Sequence, residues 1–145
     1  MIVPDTNILI YAHNDQAEQH EAALRWWRDC LIGDDFIGLP WVVITGFVRV
    51  TTHPRILEEP LTPEQALDFV DEWFEFPHVI ALNPGPGHRA NFRRNIIATG
   101  VGGNLVMDAH IAALAIENDA EVHSHDSDFG RFPDVRWHDP IRNPR

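Results

Sequence analysis

Four aspartates occupy positions where a carboxylate is hard to explain by local structure alone. Asp5 follows the apolar Ile2-Val3-Pro4 and precedes Thr6-Asn7-Ile8-Leu9-Ile10, where an unpaired buried charge would cost several kcal/mol. Asp108 falls in the first turn of an apolar helix pattern, on the wheel beside Leu105, Ala112 and Ala115. Asp126 and Asp128 follow a short strand pattern in His123-Ser124-His125-Asp126-Ser127-Asp128-Phe129. Each has a local alternative: Asp5 as a helix cap, Asp108 at a helix's positive end, Asp126 in an Asx turn. Taken together they suggest one pocket. Two carboxylates about 4 Å apart repel by about 4 kcal/mol at a surface-like dielectric, so a cluster needs a cation. All-oxygen ligands suit Mg²⁺ or Mn²⁺, and such sites leave positions open for water and phosphate. The chemistry indicated is phosphoryl transfer or hydrolysis.

The elements that must position these acids alternate along the chain. Strand patterns cover Ile2-Val3-Pro4, Phe36 to Leu39, His78 to Leu82, Glu121 to Ser124 and Val135 to Trp137. Helical spacing covers Glu18 to Leu31, Trp41 to Thr51, a segment opened by Thr62-Pro63-Glu64-Gln65, His88 to Ala98, and Leu105 to Glu117. Thr62 and Gln65 form a capping-box pattern with Pro63 in the first turn, and Asn104 is placed to cap the last helix. Alternating strands and helices imply a three-layer α/β/α sandwich with a mostly parallel sheet. Open sheets of that kind gather ligands at the carboxyl ends of strands, where Asp5 and Asp126 fall.

A chain of 145 residues, 44% hydrophobic, suits one folded domain over residues 1–145. No apolar run is long enough to cross a bilayer, and Asp5 interrupts any early hydrophobic region, so no secretory signal is expected. Cys30 is the only cysteine; it excludes an internal disulfide, reads as a core thiol and is consistent with a reducing cytoplasm. The net charge of −11 is a poor global field for nucleic acid. Every basic residue is arginine, so phosphate contacts must be local. Arg89 and Arg93, four apart on one helix face with Arg94 beside them, are candidates for RNA phosphates, as against an ordinary solvated face.

The chain resembles the PIN-domain ribonucleases, in particular the VapC toxins of bacterial type II toxin–antitoxin pairs. Four stretches carry the resemblance: Val3-Pro4-Asp5-Thr6-Asn7-Ile8-Leu9, Phe47 to Ile56, Gly103 to Ala115, and Ser124-His125-Asp126-Ser127-Asp128-Phe129. It implies an α/β/α fold and a metal-dependent endoribonuclease in which Asp5, Asp108 and Asp126 hold Mg²⁺ or Mn²⁺ and hydrolyse RNA. Asp128 becomes a nearby accessory, Asn7 or Thr6 orients the first carboxylate, and Ser124 matches a hydroxyl two residues before the fourth acid. A VapB-like antitoxin and a homodimer are implied as partners.

One position departs from the family. PIN domains place a Glu on the helix that here contains Ile44-Thr45-Gly46-Phe47-Val48-Arg49, and the matching position is Gly46. No acid lies between Asp35 and Glu58. Water in the vacancy with Asp128 as a substitute is the expectation; a weakened enzyme acting as an RNA- or protein-binding module is the alternative. Arg49 on the same helix could pair with an acid internally. Two other chemistries are poorly supplied. A zinc site at His123 and His125 lacks a third imidazole, and an aspartyl phosphatase at Asp5 lacks the second Asp, since Asn7 stands there.

Overall fold

The computed structural model describes all 145 residues. Five strands, β1 (Ile2–Pro4), β2 (Ile37–Pro40), β3 (Val79–Leu82), β4 (Glu121–His123) and β5 (Arg136–His138), form one sheet in the order β3-β2-β1-β4-β5. Every neighbouring pair is parallel. Six helices connect them: α1 (Thr6–His13), α2 (His20–Ile32), α3 (Trp41–Thr51), α4 (Pro63–Phe74), α5 (His88–Thr99) and α6 (Leu105–Glu117). All four residues of β2 are buried, as are Val3 and Val122, because helices cover both faces. This is the three-layer arrangement expected from the alternation, with a wholly parallel sheet.

The local signals translate closely. Helices α3 and α6 occupy the residues that periodicity assigned to them, since both are apolar enough to be buried along most of their length. The Thr62–Gln65 capping box forms in full: Gln65 N–H donates to Thr62 Oγ1 at 3.1 Å and Thr62 N–H to Gln65 Oε1 at 2.9 Å. Gly100 ends α5 in the left-handed region at φ 64°, a conformation that glycine adopts without strain. Two local readings change. The helix expected from Glu18 starts at His20, after a turn around Asn14–Gln19. Asn104 sits at the helix start, but its side chain makes no capping bond. The backbone N–H groups of Leu105 and Val106 instead donate to the carbonyls of Gly102 and Gly103.

The core joins Ile8, Leu9, Phe47, Trp73 and Trp27 on the helices to Val3, Leu39 and Val122 on the strands. Cys30 is half-buried and packs against the core rather than within it, and burial pushes its thiol up to about 12, which makes it a poor nucleophile. A hollow of about 500 Å³ lies between α2 and the sheet, where Met1, Trp26, Glu121 and His138 meet.

His123 lies in this region with its protonation fixed by its neighbours. Trp26 Nε1–H can only donate, and it donates to His123 Nδ1 at 2.9 Å. The proton of the neutral ring is therefore on Nε2, which donates to Glu121 Oε1 at 2.9 Å. Burial pushes His123 down to about 4 from an ordinary 6.5. Above pH 6.5 neither the folded nor the unfolded chain is charged at this residue. As pH falls from 6.5 toward 4 the unfolded chain takes a proton that the folded one refuses, and stability drops. Between pH 7 and pH 4.5, urea unfolding of the wild type is expected to lose about 2 kcal/mol more than that of His123→Gln. Equal losses would mean that His123 stays protonatable in the fold.

Candidate active site

The strand order makes the site. The chain runs outward from β1 through β2 to β3, then returns to the other side of β1 to place β4 and β5. A parallel sheet whose connections reverse direction opens a crevice beyond the carboxyl ends of its strands at the reversal, here between β1 and β4. Asp5 follows β1, Ser124 follows β4 and Asp139 follows β5. Register keeps them level, because Pro4 pairs with His123 and His123 with His138. Asp5 N–H donates to the His123 carbonyl at 2.9 Å, and Ser124 N–H to the His138 carbonyl at 3.1 Å.

Asp5 is both a cap and a site residue. Its Oδ1 accepts from Thr6 N–H at 2.7 Å, starting α1, while Oδ2 accepts from the Ser124 hydroxyl at 2.8 Å. Ser124 Oγ is fully buried and also accepts from Asn7 Nδ2 at 3.2 Å and from Asp126 N–H at 3.0 Å. One hydroxyl thus ties together the ends of β1, α1 and the loop after β4. Asp126 forms the Asx turn with Oδ1, accepting from Asp128 N–H at 2.9 Å and starting a short 3₁₀ turn over Ser127–Arg131.

Carboxylate oxygens of Asp108, Asp126 and Asp128 all lie within 4.8 Å of one another. Asp128, read from sequence as an accessory, is therefore a full member of the tight group. Asp5 is outside that group but borders it. Burial first, then the negative charges of Asp5, Asp126 and Asp128, push Asp108 up to about 7. Burial raises Asp5 as well, opposed by the hydrogen bonds from Ser124 and Thr6. Asp5 and Asp108 share a cleft of about 480 Å³ with Thr6, Gly46, Arg49 and Met107. Asn95 of α5 fixes the neighbouring turn of α6, donating from Nδ2 to the Ala109 carbonyl at 3.0 Å.

The group fits a divalent cation. Octahedral Mg²⁺ with oxygens at 2.0–2.1 Å sets neighbouring ligands about 2.9 Å apart and opposite ones about 4.2 Å apart. Three oxygens within 4.8 Å can approach that geometry with small side-chain movements. Burial raises Asp108 most, and the charges of Asp5, Asp126 and Asp128 raise it further, a repulsion that a cation would relieve.

Gly46 packs against Thr6: a Cβ there would come within 3.1 Å of Thr6 Cγ2 and 3.2 Å of Thr6 Oγ1, so a side chain at this position requires the Thr6 side chain to give by a few tenths of an ångström. The expected internal pair of Arg49 does not form: its charge is unpaired and exposed. Arg89 and Arg93 are exposed on α5 and do not line the cleft, while Arg94 pairs with Asp134 at 3.4 Å. His125 does not join His123 in a metal pair; its Nδ1 bonds Asp139 Oδ2 at 2.9 Å. Asp139 is a site-border residue that the sequence reading passed over. It is buried, and its Oδ1 accepts from the backbone N–H groups of Ile141 and Arg142. Its signal was available, since it follows a strand just as Asp5 does.

Comparison with known proteins agrees with this architecture. The family model for the PIN domain matches residues 2–135. Ribonuclease VapC37 of Mycobacterium tuberculosis is 42% identical over 140 residues, covering 97% of each chain. Ribonuclease VapC33 of the same species is 41% identical over 142 residues, covering 98% of this chain and 99% of the relative. Among solved structures, VapC20 of Mycobacterium tuberculosis, a sarcin–ricin-loop-cleaving toxin, superposes with a TM-score of 0.67 at 14% identity, over 94% of this chain and 99% of that one. VapBC-1 from nontypeable Haemophilus influenzae gives 0.66 at 21% identity, over 96% and 98%. At such identities the structures show a shared fold, whereas the full-length sequence matches show kinship. This chain belongs to the PIN-domain family, in its VapC branch.

Proposed function

We propose that this protein is the toxin of a VapBC-type pair, an endoribonuclease that hydrolyses RNA phosphodiester bonds with Mg²⁺ or Mn²⁺. The observation that carries this reading is the convergence of Asp108, Asp126 and Asp128 within 4.8 Å. These three carboxylates would hold the cation, and Asp5 would complete the negative wall behind them. A bound divalent cation supplies an acidified water and offsets charge on the leaving oxygen. Ser124 keeps Asp5 and the Asp126 backbone in register, and Asn7 braces Ser124. The RNA backbone would lie in the cleft between α3 and α6. A VapB-like antitoxin would cover this cleft, and the exposed apolar side chain of Met107 in its wall offers such a partner a contact. A homodimer in the cytoplasm completes the reading.

The missing acid on α3 favours a second reading, a PIN domain that binds RNA without cutting it. Purified protein incubated with end-labelled single-stranded RNA separates the two. Cleavage in Mg²⁺ or Mn²⁺, abolished by EDTA and leaving 5′-phosphate ends, is the expected result. RNA binding without cleavage in either ion would favour the binding module.

A further inference from the structure

We propose that Arg49 is a substrate-binding residue of this site, holding an RNA phosphate across the cleft from the acidic group; this rests on the ribonuclease reading above. Helix α3 presents Val42, Thr45, Gly46 and Arg49 along one stripe to the cleft. The opposite wall carries Asp5 and Asp108. Arg49 is exposed and makes no ion pair, although two acids share its cleft. No carboxylate oxygen lies within ion-pair distance, 4.0 Å, of its guanidinium, which is therefore left free in the cleft rather than neutralising an acid.

That separation suits a bridging anion. A phosphodiester lying in the cleft can face the acid-bound cation on one side and the guanidinium fork on the other. Arginine matches phosphate with paired N–H donors. Gly46, one turn earlier, leaves the intervening wall without a side chain. The α3 wall thus contributes one positive charge and no negative charge, in a chain whose total charge of −11 would otherwise repel RNA. Arg94, Arg131, Arg136, Arg142 and Arg145 are each engaged with an acid. The remaining unpaired arginines lie outside this cleft.

The test compares wild type, Arg49→Ala and Arg49→Lys on a fluorescent single-stranded RNA in Mg²⁺. A charge-assisted hydrogen bond contributes about 1.5–3 kcal/mol, so KM is expected to rise about 10- to 100-fold in Arg49→Ala, with a smaller change in kcat. Arg49→Lys is expected to recover part of the loss. Fluorescence anisotropy in the Asp108→Asn background reads binding without turnover. There the slope of log Kd against log salt is expected to become shallower by about 0.7 when Arg49 is replaced. Magnesium affinity by calorimetry and the melting temperature are expected to stay unchanged, because Arg49 is exposed. If wild type cleaves and Arg49→Ala matches it in KM and salt slope, this inference is wrong and the ribonuclease reading stands. A change in magnesium affinity with no change in RNA binding also overturns it. Wild type that neither binds nor cleaves RNA overturns both.

Discussion

Asp108→Asn is expected to abolish RNA cleavage while making the metal-free protein more stable. In the fold Asp108 is pushed up to about 7, against 3.8 for an ordinary aspartate, by burial and by Asp5, Asp126 and Asp128. A carboxyl raised in this way contributes its full stability below pH 3.8 and loses it as pH rises through about 7. At pH 8 the wild type therefore holds an unfavourable charge. The full shift would correspond to about 4 kcal/mol, and screening by water at this half-buried group reduces the expected cost to about 2 kcal/mol. Asparagine removes the charge and keeps the shape. In EDTA at pH 8 the variant is expected to melt roughly 5 °C above wild type, and the difference should vanish near pH 4. Magnesium should raise the melting temperature of wild type and leave Asp108→Asn nearly unmoved. Outer groups that merely orient a ligand already cost 10–100-fold when removed, so activity should fall by at least about 100-fold. A variant that melts lower than wild type in EDTA and still cleaves RNA would show that these acids form no strained cluster.

The second large effect is expected from Ser124→Ala, a change of one oxygen. The hydroxyl is completely buried, donates to Asp5 Oδ2, and accepts from Asn7 and from the Asp126 backbone. Removing it leaves the buried Asp5 oxygen and a backbone N–H without their partners, each a desolvated group with nothing to replace the bond. Urea unfolding is expected to show a loss of about 1–3 kcal/mol. Activity in saturating magnesium should fall about 10- to 100-fold, as for other groups that orient ligands. Since the Ser124 bond holds Asp5 down against burial, its loss should also drive the Asp5 carboxyl further up. Ser127→Ala, on the neighbouring 3₁₀ turn, serves as the control. A Ser124→Ala protein within about 0.5 kcal/mol and twofold of wild type would mean that the knot at the strand ends is not held by this hydroxyl.

Much of the fold was legible because the signals for it are local. The stripes of α3 and α6 and the Thr62–Gln65 box depend only on residues within one helix, and they survived packing intact. The Asn104 cap failed for an equally local reason: the preceding Gly103, at φ 59°, turned the chain so that backbone carbonyls met the first N–H groups. The alternating order of elements was enough to place the acids at strand ends, since parallel sheets put their loops there.

What the sequence by itself determined is the inventory and the end of the sheet: a three-layer parallel fold, a family, and a set of aspartates beyond β1 and β4 and at the start of α6. Which oxygens meet was decided by tertiary structure. Asp128 joins Asp108 and Asp126 because a 3₁₀ turn folds the loop back on itself, while Asp5 stays at the border, bound to Ser124 and Thr6. Gly46 and Arg49 became intelligible only when α3 was seen pressed against Thr6 with its unpaired cation facing the cleft. The physical reason is one of range. Helix and strand periodicity is written in neighbours a few residues apart, whereas Asp108 on one helix and Asp126 and Asp128 beyond the next strand acquire a common chemistry only through the packing that brings their oxygens within 4.8 Å of one another.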